Sequence, residues 1–152
     1  MDHYANTPDF VDAADKRGYT LLHRAAVRGH RAVVELLISM SDIDVNAADN
    51  HGTTPLHRAV LRGHRAVVEI LSATPDIDVN IADCKRRTPL YRAAAFCHRD
   101  VVELLISMSD IDVNAANDDG VTPLHCAAIH RHGDIVAMLG AMPTADVEAA
   151  DS

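Results

Sequence analysis

Residues 49–71 read Asp49-Asn50-His51-Gly52-Thr53-Thr54-Pro55-Leu56-His57-Arg58-Ala59-Val60-Leu61-Arg62-Gly63-His64-Arg65-Ala66-Val67-Val68-Glu69-Ile70-Leu71, and this stretch decides the fold. Thr54 has the hydroxyl for a helix N-cap, and Pro55 fits the first helical position, where its missing N–H costs nothing. Leu56, Ala59 and Val60 then share one face of a short helix, and Gly63 supplies the left-handed stop that turns the chain. A second helix is predicted over about 66–73. Its Val67, Val68, Ile70 and Leu71 are apolar around more than half the circumference, as in a helix covered on both sides. A helix pair this short cannot bury its apolar faces alone, so copies of it must stack.

The copies are present. Thr20-Leu21-Leu22-His23, Thr54-Pro55-Leu56-His57, Thr88-Pro89-Leu90-Tyr91 and Thr122-Pro123-Leu124-His125 recur every 34 residues, with Val33-Val34-Glu35, Val67-Val68-Glu69 and Val101-Val102-Glu103 in register and Ile135-Val136 as a degraded fourth. Residues 33–48 are identical to residues 101–116, which reads as duplication of a two-repeat block.

The chain resembles an ankyrin-repeat protein. The pattern D-x-x-G-x-T-P-L-H-x-A-A-x-x-G-H-x-x-V-V-x-L-L is met by Asp49, Gly52, Thr54, Pro55, Leu56, His57, Ala59, Gly63, His64, Val67, Val68 and Leu71, and the likeness runs roughly from Val11 to Val147. The usual period is about 33 residues, and the extra residue falls in the Ser41-Asp42-Ile43-Asp44-Val45 loop and its equivalents. The resemblance implies an all-α solenoid of stacked helix-turn-helix pairs with projecting β-turn fingers, a protein-binding role and no catalytic residues. It implies a single domain with repeats at about 15–48, 49–82, 83–116 and 117–150, after a lead-in over 1–14.

Departures from the pattern mark weak points. Leu21 stands where the pattern has Pro, and Tyr91 where it has His; Arg86 replaces a finger Gly, while Cys97 and Arg131 replace the Gly between helices. If the left-handed geometry survives, Arg86, Cys97 and Arg131 each hold a positive φ at a cost of roughly 1–2 kcal/mol. Repeat three is then the expected weak link. The array opens on the finger Val11-Asp12-Ala13-Ala14-Asp15 and closes on the start of a fifth at Asp146-Val147-Glu148, as natural half-repeat caps or as the cut ends of a longer array. Ile135, Val136, Met138 and Leu139 offer little polarity for an outer face, which points to excision or to a partner at that end.

Composition excludes several classes. With 48% hydrophobic and 3% aromatic residues and no Trp, the core must be built from Leu, Val, Ile and Ala, which favours thin, closely packed helices. No stretch approaches the ~18 consecutive apolar residues of a membrane span. A net charge of −8 opposes nucleic-acid binding, which needs a basic face. Cys84, Cys97 and Cys126 are odd in number and lack C-x-x-C spacing, which fits free thiols in a reducing, cytoplasmic setting.

Other constellations resolve into framework. His23, His57 and His125 occupy one repeat position and His30, His64, His98 and His132 another, so seven of the ten histidines are expected to bridge loop backbone groups. Cys126, His130 and His132 offer two metal ligands at best on one short helix, and no metal or cofactor is expected. Asp44, Asp78 and Asp112 lie in Asp-Ile-Asp-Val-Asn runs that start like a calcium loop but lack its later Gly and Glu, so these residues are read as loop caps. Arg24, Arg58 and Arg92 form one ladder and Glu35, Glu69 and Glu103 another, read as structural ion pairs lying partly between repeats; Cys126 breaks the Arg row.

The function expected is that of an adaptor or scaffold, a monomer with end-to-end association left open. The alternatives are an engineered or consensus-like repeat scaffold and a substrate-recruiting fragment of a larger enzyme. Matching the family's register puts Lys16, Arg17, Tyr19, Val27 and Arg28 of repeat one on the partner-binding concave surface, with Asn50, His51, Thr53, Leu61 and Arg62 of repeat two. Repeat three adds Cys84, Lys85, Arg87, Ala95 and Phe96, and repeat four Asp118, Asp119, Val121, Ile129 and His130. Repeats one to three contribute basic residues here and no acid, which suits an acidic partner carrying an apolar anchor.

Overall fold

Four threonines start the four inner helices. In a computed structural model that describes residues 13–40 and 42–143, the helices Leu21–Val27 (α1), Pro55–Leu61 (α3), Pro89–Ala95 (α5) and Pro123–Ile129 (α7) follow Thr20, Thr54, Thr88 and Thr122. Each Thr hydroxyl accepts from the backbone N–H three residues on, at 3.2–3.3 Å. The outer helices are Arg31–Ile38 (α2), Arg65–Ser72 (α4), Arg99–Ile106 (α6) and Gly133–Gly140 (α8), so α4 begins one residue before the expected span. Inner helices pack on inner helices and outer on outer, and no strand occurs among the described residues. The expected fifth finger at Asp146–Asp151 and the start of the lead-in lie outside the described residues.

The core follows the repeat. Leu22, Leu56 and Leu90 are fully buried at one inner-helix position, and Val34, Val68 and Val102 at one outer-helix position. Met108, Ile111 and their like fill in from the loops. The outer helix expected to be apolar on its outer face is largely covered, and apolar exposure on an outer helix falls at the opposite end. Ile135 and Leu139 turn inward and are buried, whereas Leu21, Val33 and Leu36 are exposed, Leu36 by 60%. Val67 and Val101 share the position of Val33 and are buried; no described helix pair precedes α1 and α2 to cover Val33 in the same way.

Five of the seven histidines expected to bridge backbone groups stitch one layer to another. His23 and His57 receive the Thr20 and Thr54 backbone N–H at Nδ1, and donate from Nε2 to the carbonyls of Thr53 and Arg87 in the next finger at 2.8 and 2.9 Å. Those partners fix the neutral Nε2–H tautomer, since an N–H only donates and a carbonyl only accepts. His64, His98 and His132 reach back to the carbonyls of Val27, Leu61 and Ala95 at 3.0, 2.9 and 3.3 Å. The longest of these bonds has a steric origin. A Cβ on Gly29 or Gly63 would meet the following imidazole at 2.8 or 2.7 Å, and Cys97 carries such a Cβ in front of His132.

The positive φ expected of three non-glycine residues is present: 64° at Arg86, 59° at Cys97 and 62° at Arg131, with Asp76 a fourth at 72°. The loop asparagines also act locally. Asn46 and Asn80 each donate to the next loop's carbonyl, at Asp76 and Asp110, and accept from Asp78 and Asp112.

Two outcomes follow for stability. Arg86→Gly removes the strain of a side chain at positive φ and is expected to stabilise the array by about 1 kcal/mol, read as a raised urea midpoint with unchanged slope. Burial depresses His57 from 6.5 to about 4. Its contribution is therefore complete above about pH 6.5 and lost as the pH falls towards 4, amounting to a loss of about 2 kcal/mol at pH 5. Urea titrations at pH 7 and 5 check this, and His57→Gln, which keeps a donor and an acceptor but cannot titrate, should flatten the difference.

Candidate partner-binding surface

Each finger is built on one side chain. Asp49 Oδ1 accepts the backbone N–H of His51 and Thr53 at 2.9 Å each, and Oδ2 accepts Arg58 Nη2 at 2.8 Å. Asp83 repeats the pattern with Lys85, Arg87 and Arg92, the last at 2.6 Å, and adds Arg87 Nε at 2.9 Å. Asp15 does the same with Arg17, Tyr19 and Arg24. The Arg ladder is thus structural, but its partners are the finger aspartates of the same repeat and not Glu35, Glu69 or Glu103, because nine residues on from the Asp the inner helix returns beneath its own finger. Burial alone would raise the Asp83 carboxyl; the Arg92 guanidinium and the N–H groups of Arg87 and Lys85 outweigh it and bring the pKa down to about 2.

The fingers are also tied to each other. Asn50, Cys84 and Asp118 each donate a backbone N–H to the preceding finger, at the carbonyls of Arg17, His51 and Lys85. Tips and inner-helix ends of repeats three and four meet around one recess of about 350 Å³, bounded by Lys85 and Arg87, by Ala95 and Phe96, and by Asp118, Asp119 and His130. All seven are among the residues that repeat register assigns to one surface.

Exposure sorts the expected residues. Lys16, Arg17, Arg28, Asn50, His51, Arg62, Cys84, Lys85, Phe96, Asp118, Asp119, Ile129 and His130 are exposed, Phe96 by 53% and Ile129 by 66%. Tyr19, Val27, Leu61, Arg87, Ala95 and Val121 are half-buried. Thr53 is a correction: it is buried, with its carbonyl engaged by His23, so it offers a partner no side chain. Two half-buried residues are held internally. The Tyr19 ring stacks on His23 at 5.3 Å with the Arg58 guanidinium 4.8 Å from its centroid, and Arg87 is paired with Asp83.

The junction of repeats three and four departs from this plan at three framework positions whose connection sequence spacing does not reveal. Asn117 takes the place of the finger Asp and keeps its turn bonds to Asp119 and Val121. Its Nδ2 donates to the Tyr91 hydroxyl at 3.0 Å, and Tyr91 is hydrogen-bonded in turn to Cys126, which replaces the Arg. Burial, then the Cys126 contact, pushes Tyr91 up to about 12, and burial raises the Cys126 thiol, so the cluster is uncharged at neutral pH. The one signal in the sequence is the shared 34-residue register of these departures with His57, Asp83 and Arg92.

No group of three or more metal-ligating side chains occurs among the described residues. His130 Nδ1 donates instead to its own helix, at the Cys126 carbonyl 2.9 Å away, and stacks on His132. No helix among the described residues is long and apolar enough to cross a membrane. Residues 5–83 and 75–151 each match the family model for ankyrin repeats (3 copies). No curated protein matches the sequence.

The ion pairs differ in worth. Arg92 is 10% exposed against a fully buried Asp83, whereas Arg24 is 51% exposed. Arg92→Met should cost about 3 kcal/mol by stranding a buried carboxylate, and Arg24→Met at most about 1 kcal/mol. Denaturant midpoints of the two variants check the contrast.

Proposed function

Because the chain belongs to the ankyrin-repeat family, we propose that it is a non-enzymatic protein-binding module that grips an acidic partner segment on the concave face made by its fingertips and inner-helix ends. The observation that carries this reading is a local reversal of charge. On a chain of net charge −8, Lys16, Arg17, Arg28, Arg62 and Lys85 stand exposed on this face, with no ion-pair partner among the described residues. The carboxylates beneath them, Asp15, Asp49 and Asp83, are spent on backbone N–H groups and on Arg24, Arg58 and Arg92. On this face repeats one to three therefore present cations to solvent, while their finger aspartates serve the framework.

Exposed Phe96 and Ile129 give the same face an apolar component, and a buried aromatic or arginine contact is where binding energy concentrates. The exposed thiols of Cys84 and Cys97 support a reducing, cytoplasmic setting.

A partner captured from lysate is the test material. Arg62→Glu with Phe96→Ala should weaken its binding by about 2 kcal/mol or more and leave the unfolding midpoint close to wild type, while Glu69→Lys on outer helix α4 should leave affinity unchanged. Retained affinity in the double variant, with loss on substitution of the outer helices, would place the interface on the other side.

A further inference from the structure

The junction between repeats three and four differs from the two before it in one coordinated respect. His23, Asp49 and Arg58 at the first junction, and His57, Asp83 and Arg92 at the second, are replaced by Tyr91, Asn117 and Cys126 at the third, each a whole repeat further on. At the first junction the Arg58 guanidinium lies between two fingers, against the Tyr19 ring of one and the Asp49 carboxylate of the next. The corresponding finger residues at the third junction are Arg87 and Asn117. Both line the recess. Cys126 is shorter than the Arg it replaces, and its buried thiol lies by His130 Nδ1 at 3.7 Å and interacts with Tyr91. The guanidinium and carboxylate of this junction have thus been exchanged for uncharged side chains, leaving a partly aromatic hollow beside the exposed Phe96 ring, with Arg87 and Arg92, both paired with Asp83, in its wall.

Resting on the reading of the concave face as the binding surface, we infer that this recess is the anchor subsite for a bulky uncharged side chain, aromatic or branched aliphatic, of a partner segment whose acidic residues lie on one side of that anchor only. The two guanidiniums in its wall, Arg87 and Arg92, are already paired with Asp83, so an ionic occupant finds no unspent charge there; the remaining charges, Lys85 against Asp118 and Asp119, oppose one another across the recess. Tyr91 and Phe96 supply aromatic wall of the kind that receives an apolar or aromatic anchor. The one-sidedness comes from the rims. Lys85, and beyond it Arg62 and Arg28, lie towards repeat one, whereas Asp118 and Asp119 flank the recess towards repeat four. A carboxylate is attracted on the first side and repelled on the second, which sets the direction and register of the bound segment. Adjacent inner helices lie about 10 Å apart. Arg62 is then about 15 Å from the recess, or about four to five residues of extended chain at roughly 3.3 Å each.

A displayed library of random linear peptides, panned on the purified protein, tests this and does not require the partner to be identified. The expected enrichment is an acidic run followed or preceded by an aromatic or branched apolar residue four to five positions away, with no acid beyond it. The triple substitution Tyr91→His, Asn117→Asp, Cys126→Arg restores the arrangement of the second junction. It should keep the acidic preference, lose the anchor, and bind the selected peptides at least tenfold more weakly. Phe96→Ala should weaken them in the same sense if the triple variant fails to fold, and Asp118→Lys with Asp119→Lys should admit acids on both sides of the anchor. The subsite is overturned if selected peptides carry no anchor, if the triple variant or Phe96→Ala binds them undiminished, or if acids flank the anchor on both sides in wild type. Failure of the broader reading looks different: no acidic enrichment, or no peptides at all, and indifference to Arg62→Glu.

Discussion

The structure depends on a carboxylate that the chain buries. Asp83 has no exposed side-chain surface, and a charge in that position is tolerable only if every lone pair is used. Two backbone N–H groups close the finger on Oδ1, and the Arg92 and Arg87 side chains reach Oδ2. The finger is thereby fastened to the inner helix behind it, and a tip residue such as Lys85 projects because the residues around it are held. The layer-to-layer bond of His57 ends on the carbonyl of Arg87, the residue whose N–H the carboxylate has already oriented. One buried group therefore shapes the finger and sets the acceptor that positions the preceding repeat.

Much of this was legible because it is local. Thr-Pro at a helix start, Gly or its substitutes at left-handed turns, and the burial of Leu56, Ala59 and Val60 each depend on a few neighbouring residues, and all are found as expected. What escaped was pairing across a turn. Arg58 follows Asp49 by nine residues and precedes Glu69 by eleven, so spacing alone offers either carboxylate; only the return of the helix under its own finger selects the aspartate. Thr53 was misplaced for a related reason. In register it follows the exposed tip His51 by two residues, yet its carbonyl is the acceptor for His23, and that draws it inward.

The third junction shows the same limit more sharply. Tyr91, Asn117 and Cys126 are far apart in sequence, and each alone reads as drift from a repeat pattern. Brought together they form one hydrogen-bonded, neutral cluster, in which each replacement is intelligible from the others: without the Arg an Asp would be buried uncompensated, and with Asn in its place an amide donor needs an acceptor, which the Tyr91 hydroxyl provides.

Among the described residues, three of the four non-glycine residues at positive φ, all but Asp76, lie in the two repeats that meet at that junction. Arg86 and Cys97 hold left-handed backbone in repeat three, and the bond from His132 across the junction is the longest of its kind. In a stack where each repeat touches only its neighbours, such costs stay where they arise and do not propagate to the other layers. Rearrangement of one junction is therefore the cheapest way for this architecture to acquire a distinctive surface. Repeats one and two can keep the standard carboxylate–guanidinium fastening and present cations, while the third junction gives up part of its stability and exposes a hollow. The two features have separate origins: the strain comes from Arg86 and Cys97, which stand where other repeats have glycine, and the hollow from Tyr91, Asn117 and Cys126, which replace the residues that elsewhere fill the gap between fingers.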